Sequence, residues 1–230
     1  MKILVISPKA AEDSAKRLAK ELGADYINPY QTGRISFREY QLVINYGFST
    51  NIITNANANV FNEPSSVRKC INKMTTLDTL ANAGIPIPDY AHFVKKNWDT
   101  VVCHTKLEGR KNEGIEYWYR ESDEPVPPAY LYTKYYEHRG EYRVVVLCGK
   151  VVGRYRKVER DGTWDLELRD KRGFEYMDEL CIRAARALGI DYVGFDVLAQ
   201  TKNDCVIIEA NSGPILTEEA IDAFHELIGA

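Results

Sequence analysis

The sequence is poor in the features that would assign it quickly. It has no Cys-x-x-Cys pair, and its five cysteines, Cys70, Cys103, Cys148, Cys181 and Cys205, are an odd number scattered along the chain. That pattern excludes a zinc ribbon and a disulfide framework and reads as reduced, mostly buried thiols of a cytoplasmic protein. No apolar run approaches the roughly 20 residues a bilayer-spanning helix needs. The opening Met1-Lys2-Ile3-Leu4-Val5-Ile6 is too short for a signal-peptide core and reads as a buried strand. Charge of one sign is also lacking: 30 Lys and Arg face 33 Asp and Glu, a net charge of −3. A chain without a basic surplus is not expected to bind nucleic acid broadly. Cys103-His104 is the one suggestive pair, but neighbours on a strand point to opposite faces, so Cys103 reads as a packing residue.

What is present is an alternation of strands and helices in a chain of 230 residues that is 45% hydrophobic and 27% charged. An apolar strand at 2–6, a helix at 11–22 stopped by Gly23 and a strand at 40–46 predict a small βαβ-like lobe over residues 1–61. The Asn-rich run at 51–59 reads as a loop with a short strand. A helix from about 64 to 83, with Ser65 or Ser66 as its cap and Gly84 as its end, opens a second lobe over 62–128. Strands near 90–94, 100–105 and 115–119 follow, and Pro125-Val126-Pro127-Pro128 is the clearest linker. The third lobe, 129–230, has strands at 130–136, 142–148 and 151–157, with a tight turn at Gly149-Lys150. A polar loop at 158–173, a helix at 175–188 ended by Gly189, strands at 192–198 and 205–209, and a last helix at 217–228 complete it. The fold class is α/β of the α+β kind.

The strongest chemical signal lies in the last two strands. Asp196 stands on one arm of a hairpin, and Glu209 and Asn211 stand on the other. Residues i and i+2 of a strand share a face, so Glu209 and Asn211 point the same way. Two carboxylates and an amide oxygen are hard donors suited to Mg²⁺, which completes its shell with phosphate and water. On this pattern alone the acids are equally compatible with the exposed face of an ordinary hairpin.

An acid on a strand followed by Glu-x-Asn and a nearby proline resembles the metal signature of the ATP-grasp superfamily. The segment Ala187-Leu188-Gly189-Ile190-Asp191-Tyr192-Val193-Gly194-Phe195-Asp196 is similar to its lead-in. The likeness is to the phage and bacterial type related to ribosomal-protein glutamate ligases, and it covers about residues 62–230. It implies an ATP-grasp fold in which two α+β lobes grip ATP. Asn72-Lys73-Met74 with Ala83-Gly84-Ile85-Pro86-Ile87-Pro88 resembles the family's phosphate-contacting lysine segment, with Asn72 in place of the usual Asp. The strand ending at His104 resembles one that normally ends in a phosphate-binding Lys or Arg. The loop at 106–114, with Arg110 and Lys111, resembles the loop that closes over phosphates. Leu131-Tyr132-Thr133-Lys134-Tyr135-Tyr136 resembles the hinge strand, so Lys134 and Tyr136 are implied to meet adenine and Glu141 the ribose.

The same resemblance implies a cation that steadies an acyl-phosphate. Lys157 is the best match, with Arg143 and Arg156 as further candidates. Some members carry an arginine two residues before the first acid, where this chain has Gly194. Asp196, Glu209 and Asn211 are then the metal set for Mg²⁺, with Mn²⁺ as a substitute. The implied reaction is ATP-dependent joining of a carboxylate to an amine of an amino acid, peptide or protein terminus, in the cytoplasm of a cell or of a phage host. A non-catalytic ATP-binding module and a hydroxyl phosphotransferase are the alternatives. Neither membrane nor nucleic-acid partners are implied, and a homodimer is one assembly compatible with the sequence.

Overall fold

A computed structural model describes residues 1–31, 37–51, 58–108, 113–160, 163–170 and 172–229. The first 61 residues hold a parallel sheet in the order β2-β1-β3-β4, from β1 (Ile3–Ile6), β2 (Asp25–Ile27), β3 (Leu42–Asn45) and β4 (Asn59–Phe61). Every residue of β1 and β3 is buried, as strands covered on both faces require. One face takes Ala15, Leu18 and Ala19 of α1 (Glu12–Glu21), and the other takes Phe37, Tyr40 and Phe48.

Two helices follow where a single one is predicted over 64–83. They are α2 (Pro64–Ile71) and α3 (Lys73–Asn82). The break falls at Asn72, whose backbone is extended and whose Oδ1 accepts a bond from the Thr75 amide at 3.1 Å. An Asn side chain competes well for a helix's first free amides, so Asn72 starts a new helix and places Lys73 in its first turn. The residue before α2 is Glu63, not Ser65 or Ser66. Next comes an antiparallel sheet in the order β5-β8-β6-β7, from β5 (Tyr90–Ala91), β6 (Thr100–His104), β7 (Ile115–Tyr119) and β8 (Leu131–Lys134). Val101, Cys103, Trp118 and Tyr132 pack around Trp98 on one face. His104 and Thr133 lie on the other, so Cys103 is a core residue as predicted.

The largest sheet is antiparallel in the order β11-β10-β9-β12-β13. Its strands are β9 (Gly140–Leu147), β10 (Lys150–Arg160), β11 (Thr163–Leu168), β12 (Tyr192–Thr201) and β13 (Asp204–Asn211). The charged stretch predicted as a loop over 158–173 is therefore largely strand. Pairing of Arg160 with Thr163 through Tyr155 with Leu168 extends the sheet, because cross-strand bonds satisfy the backbone whatever the side chains are. The turn from β9 to β10 has Cys148 at φ 46 and Gly149 at φ 75. Two positive values suit the right-handed twist of a two-residue hairpin.

One face of this sheet is sealed by α4 (Glu175–Leu188) against Val144, Val146, Val193, Phe195, Val197 and Ile207. The opposite face is covered only at one end. There Val145, Leu147 and Tyr192 meet α5 (Glu218–Ile228) and the N-terminal sheet through Phe224, Ile3 and Val5. Its other end carries Glu141, Arg143, Lys157 and Asp196. Among the described residues no helix is long and apolar enough to cross a membrane.

Candidate active site

The acids predicted to share a site do so. Asp196 and Glu209 are direct cross-strand partners, as are Asp196 and Arg143. The register between β12 and β13 slips by one residue just past this pair, because Val197 opposes Ile207 and leaves Ile208 unpaired. Before this bulge Cys205 and Ile207 face the α4 core, and after it Ala210 does. The extra residue resets the alternation, so Glu209 and Asn211 leave the face that Ile207 occupies. The freed Ile208 carbonyl accepts a 2.8 Å bond from Lys73 Nζ.

Asp196 is 4% exposed, and charges from β9 and from β10 beyond it satisfy it. Arg143 donates from Nε to Oδ1 at 2.6 Å and from Nη2 to Oδ2 at 2.8 Å. Lys157 donates to Oδ2 at 2.8 Å and also pairs with Glu141, its cross-strand partner. Burial alone would push the Asp196 carboxyl up, but the bonds and charge of Arg143 and then Lys157 hold it below the usual carboxylate range. Arg143 reaches this place because residue 194 is glycine. A Cβ there would stand 2.9 Å from Pro214 Cβ and 3.2 Å from Arg143 Cδ. A cation thus fills the space beside Gly194 from the adjacent strand.

Lys73 lies 3.9 Å from Glu209, and burial lowers its ammonium from the usual value. His104 shares a 3.1 Å hydrogen bond with Thr133 Oγ1. Burial, and then the nearby Lys73 charge, bring its imidazole down to about 4, so it is neutral at neutral pH. Lys73, His104, Glu209 and Asn211 line a cleft of about 520 Å³, whose far wall includes Tyr30 and Phe48 from the N-terminal lobe.

The structure separates three other candidates from this cluster. Arg156 sits on the α4 face, because alternation on β10 puts it with Arg154, which pairs with Asp178 of α4. Its own Nη2 donates to the Arg139 carbonyl at 3.3 Å. Lys134 is exposed and pairs in register with Val101, on the Trp98 side of the small sheet. Tyr136 donates to Asp204 Oδ1 at 2.5 Å. Both Lys134 and Tyr136 line a second cavity of about 530 Å³ with Asp89, Asp99 and Asp204. Of the closing loop, Lys106 pairs with Glu113 at 3.3 Å, while Arg110 and Lys111 lie outside the described residues.

Sequence reasoning missed the clasp behind the 211–214 turn. Asn62, 1% exposed at φ 62, accepts from the amides of Asp191 at 3.0 Å and Tyr192 at 2.8 Å. It donates to the Tyr192 carbonyl at 2.8 Å and the Ser212 carbonyl at 3.4 Å. Tyr46 donates to the Pro214 carbonyl. These bonds tie the N-terminal sheet to the 211–214 turn, and no local pattern announces pairs this distant in sequence.

The donor chemistry fits a magnesium ion. Among the described residues no three His, Cys, Asp or Glu side chains form a self-sufficient metal group, and Mg²⁺ commonly takes only one or two carboxylates beside phosphate and water. Among those residues half-exposed Glu209 has only a 3.9 Å contact with Lys73, and the buried Asn211 amide nitrogen has no protein partner, so no bond at that nitrogen stops the amide from turning its oxygen, the atom that would meet a metal, into the site.

The fold recurs among known proteins. Among solved structures, the ATP-grasp ligase PsnB with a phosphomimetic variant of its minimal precursor, Mg and ADP superposes with a TM-score of 0.73 at 14% identity, covering 99% of both chains. D-alanine–D-alanine ligase from Bacillus anthracis complexed with ATP gives 0.70 at 14% identity, covering 100% of this chain and 92% of that one. The chain has the ATP-grasp fold. Residues 130–228 match the RimK-like ATP-grasp domain, from the start of β8 to the end of α5. That segment holds Glu141, Arg143, Lys157, Asp196, Glu209 and Asn211, while Lys73 and His104 precede it. Among curated proteins, human N-acetylaspartylglutamate synthase A is 28% identical over 184 residues, 66% of this chain and 45% of that protein. The chain therefore spans less than half the length of the curated relative it matches.

Proposed function

We propose that this chain is an ATP- and Mg²⁺-dependent carboxylate–amine ligase that works through an acyl-phosphate. The observation that carries the reading is the placing of Asp196, Glu209 and Asn211 beside Lys73, Arg143 and Lys157, at the edge of a cleft shared with the N-terminal lobe. In this reading residues 1–61, 62–128 and 129–230 act as three lobes, and ATP lies between the last two.

Asp196, Glu209 and Asn211 would hold Mg²⁺, which when bound would offset charge on the transferred phosphoryl group. Lys73 binds a phosphate, and His104 orients it as a neutral donor. The 134–136 backbone meets adenine, with Lys134 and Tyr136 at its rim, and Glu141 meets the ribose. The substrate carboxylate attacks the γ-phosphate and ADP leaves. Lys157 and Arg143 steady the negative charge as the amine then attacks the acyl carbon and phosphate departs. Arg156, on the far face, takes no part. Similar proteins support the ligase reading: one is an N-acetylaspartylglutamate synthase, and neighbours in fold are a D-alanine–D-alanine ligase and a ligase complexed with a precursor peptide. The substrates are a carboxylate and an amine on an amino acid, peptide or protein end.

The test is ADP release. It should require both a carboxylate and an amine, and fall to background in an Asp196→Ala, Glu209→Ala double variant; full activity in that variant would sink the proposal. Neutral His104 favours one rival, a non-catalytic ATP-binding module. That rival predicts thermal stabilisation by ATP with no ADP formed from any substrate mixture.

A further inference from the structure

Three cations and three carboxylates form one connected group at the mouth of the site. Lys73 is near Glu209, Arg143 holds Asp196, and Lys157 joins Asp196 to Glu141. Of the other described charged or imidazole side chains on the cleft, His104 is neutral at neutral pH, Lys106 pairs with Glu113, and Glu108 stands apart from the group beside Asn72. The group is therefore charge-balanced before any metal arrives. A bare divalent cation would add its full charge to a group whose own charges already cancel. The same cation complexed with a nucleoside triphosphate arrives as a net anion, and the local cations then have phosphate oxygens to meet.

The two cations on Asp196 are not equivalent. Arg143 grips both oxygens with a planar fork, at 2.6 and 2.8 Å. Lys157 makes one point contact with Asp196 at 2.8 Å, and its other partner is Glu141. An ammonium on a four-carbon stem turns to a new acceptor more readily than a bidentate guanidinium leaves its carboxylate. A carboxylate has about four acceptor positions, and Oδ2 of Asp196 already serves both Arg143 and Lys157.

We infer that Lys157 is a place-holding cation. It occupies Asp196 until the metal–nucleotide complex binds, then keeps Glu141 and turns to a phosphate, so the site selects the complex over the free metal. Arg143 stays in place and orients Asp196 throughout. The inference rests on the assignment of Asp196, Glu209 and Asn211 as metal donors, and metal binding tests it apart from turnover.

The probe is Mn²⁺, its free fraction read by electron paramagnetic resonance, with and without ADP. Wild type should bind bare Mn²⁺ weakly and bind it much more tightly when ADP is present. Lys157→Met should bind bare Mn²⁺ on the order of tenfold tighter than wild type and lose most of the ADP effect. Lys157→Gln is a second neutral variant with the same expectation, and Lys157→Arg should stay near wild type. Adding Glu209→Gln to Lys157→Met should erase the gain, which locates the new affinity at this site. Bare-metal affinity unchanged or weakened in both neutral variants, while wild type still binds Mn²⁺ with ADP, overturns the place-holder. No Mn²⁺ binding by any form with ADP overturns the metal assignment as well.

Discussion

Arg143 holds both carboxylate oxygens of Asp196, at 2.6 and 2.8 Å, across adjacent strands of the large sheet. The pair is buried, with side-chain exposures of 15% and 6%. Removing one partner of such a pair leaves a charge without water or its main counterion. Arg143→Ala should therefore lower unfolding stability by about 3 kcal/mol, measured by urea denaturation. Arg143→Lys should recover only part of it, since an ammonium cannot make both bonds. A loss under about 0.5 kcal/mol in Arg143→Ala would show that Lys157 alone satisfies the acid.

His104 should make stability depend on mildly acidic pH. Burial and Lys73 depress its folded value from 6.5 to about 4. Between those values the unfolded chain binds the proton and the folded chain does not. Its contribution is thus complete above about 6.5 and is lost as pH falls toward 4, by about 3 kcal/mol in full. His104→Asn should show a shallower fall of the denaturant midpoint between pH 6.5 and 4.5. Equal slopes in the two proteins would assign the effect to other groups.

Gly194→Ala should be costly although the change is one methyl group. The new Cβ would meet the Pro214 ring at 2.9 Å and press on Arg143 Cδ at 3.2 Å. Overpacking of this kind costs about 1–3 kcal/mol. The midpoint of urea unfolding should drop with an unchanged slope, and a midpoint equal to wild type would mean the turn at Pro214 yields freely.

Asn62 is expected to matter twice, through its amide and through its left-handed backbone. Asn62→Gly keeps the conformation and loses the four side-chain bonds to Asp191, Tyr192 and Ser212. That variant should lose about 2–3 kcal/mol, since buried backbone groups are left unpaired. Asn62→Ala should lose about 1 kcal/mol more, because Cβ opposes positive φ. Calorimetric melting of the two variants separates the contributions, and equal melting temperatures would remove the backbone one.

Much of the site was legible because its chemistry is local. Asp196 and Glu209 sit in apolar strands where an acid needs a reason, and the two-residue spacing of Glu209 and Asn211 puts them on one face in any register. The helix at 175–188 and the strand at 115–119 have the bounds the sequence predicts, since an apolar stripe and a closing glycine mark the first and a run of strand-forming Ile and aromatic residues the second. The break at Asn72 was missed because capping and helix continuation compete within one turn, and only packing decides between them. The strand at 163–168 was missed because charged side chains hid a backbone that pairs regardless of them.

The sequence by itself determined most of the elements, the acids that share a face and the likeness to a nucleotide-gripping fold, because these depend on residues close in the chain. The tertiary structure alone decided which charges meet. The bulge at Ile208, the missing side chain at Gly194 and the pairing of β9 with β10 and β12 bring Arg143, Lys157 and Glu141 to Asp196. Alternation within β10 sends Arg156 to the opposite face. Strand order and register are set by packing across tens of residues, and a charge acts on whatever that packing places within a few ångströms of it.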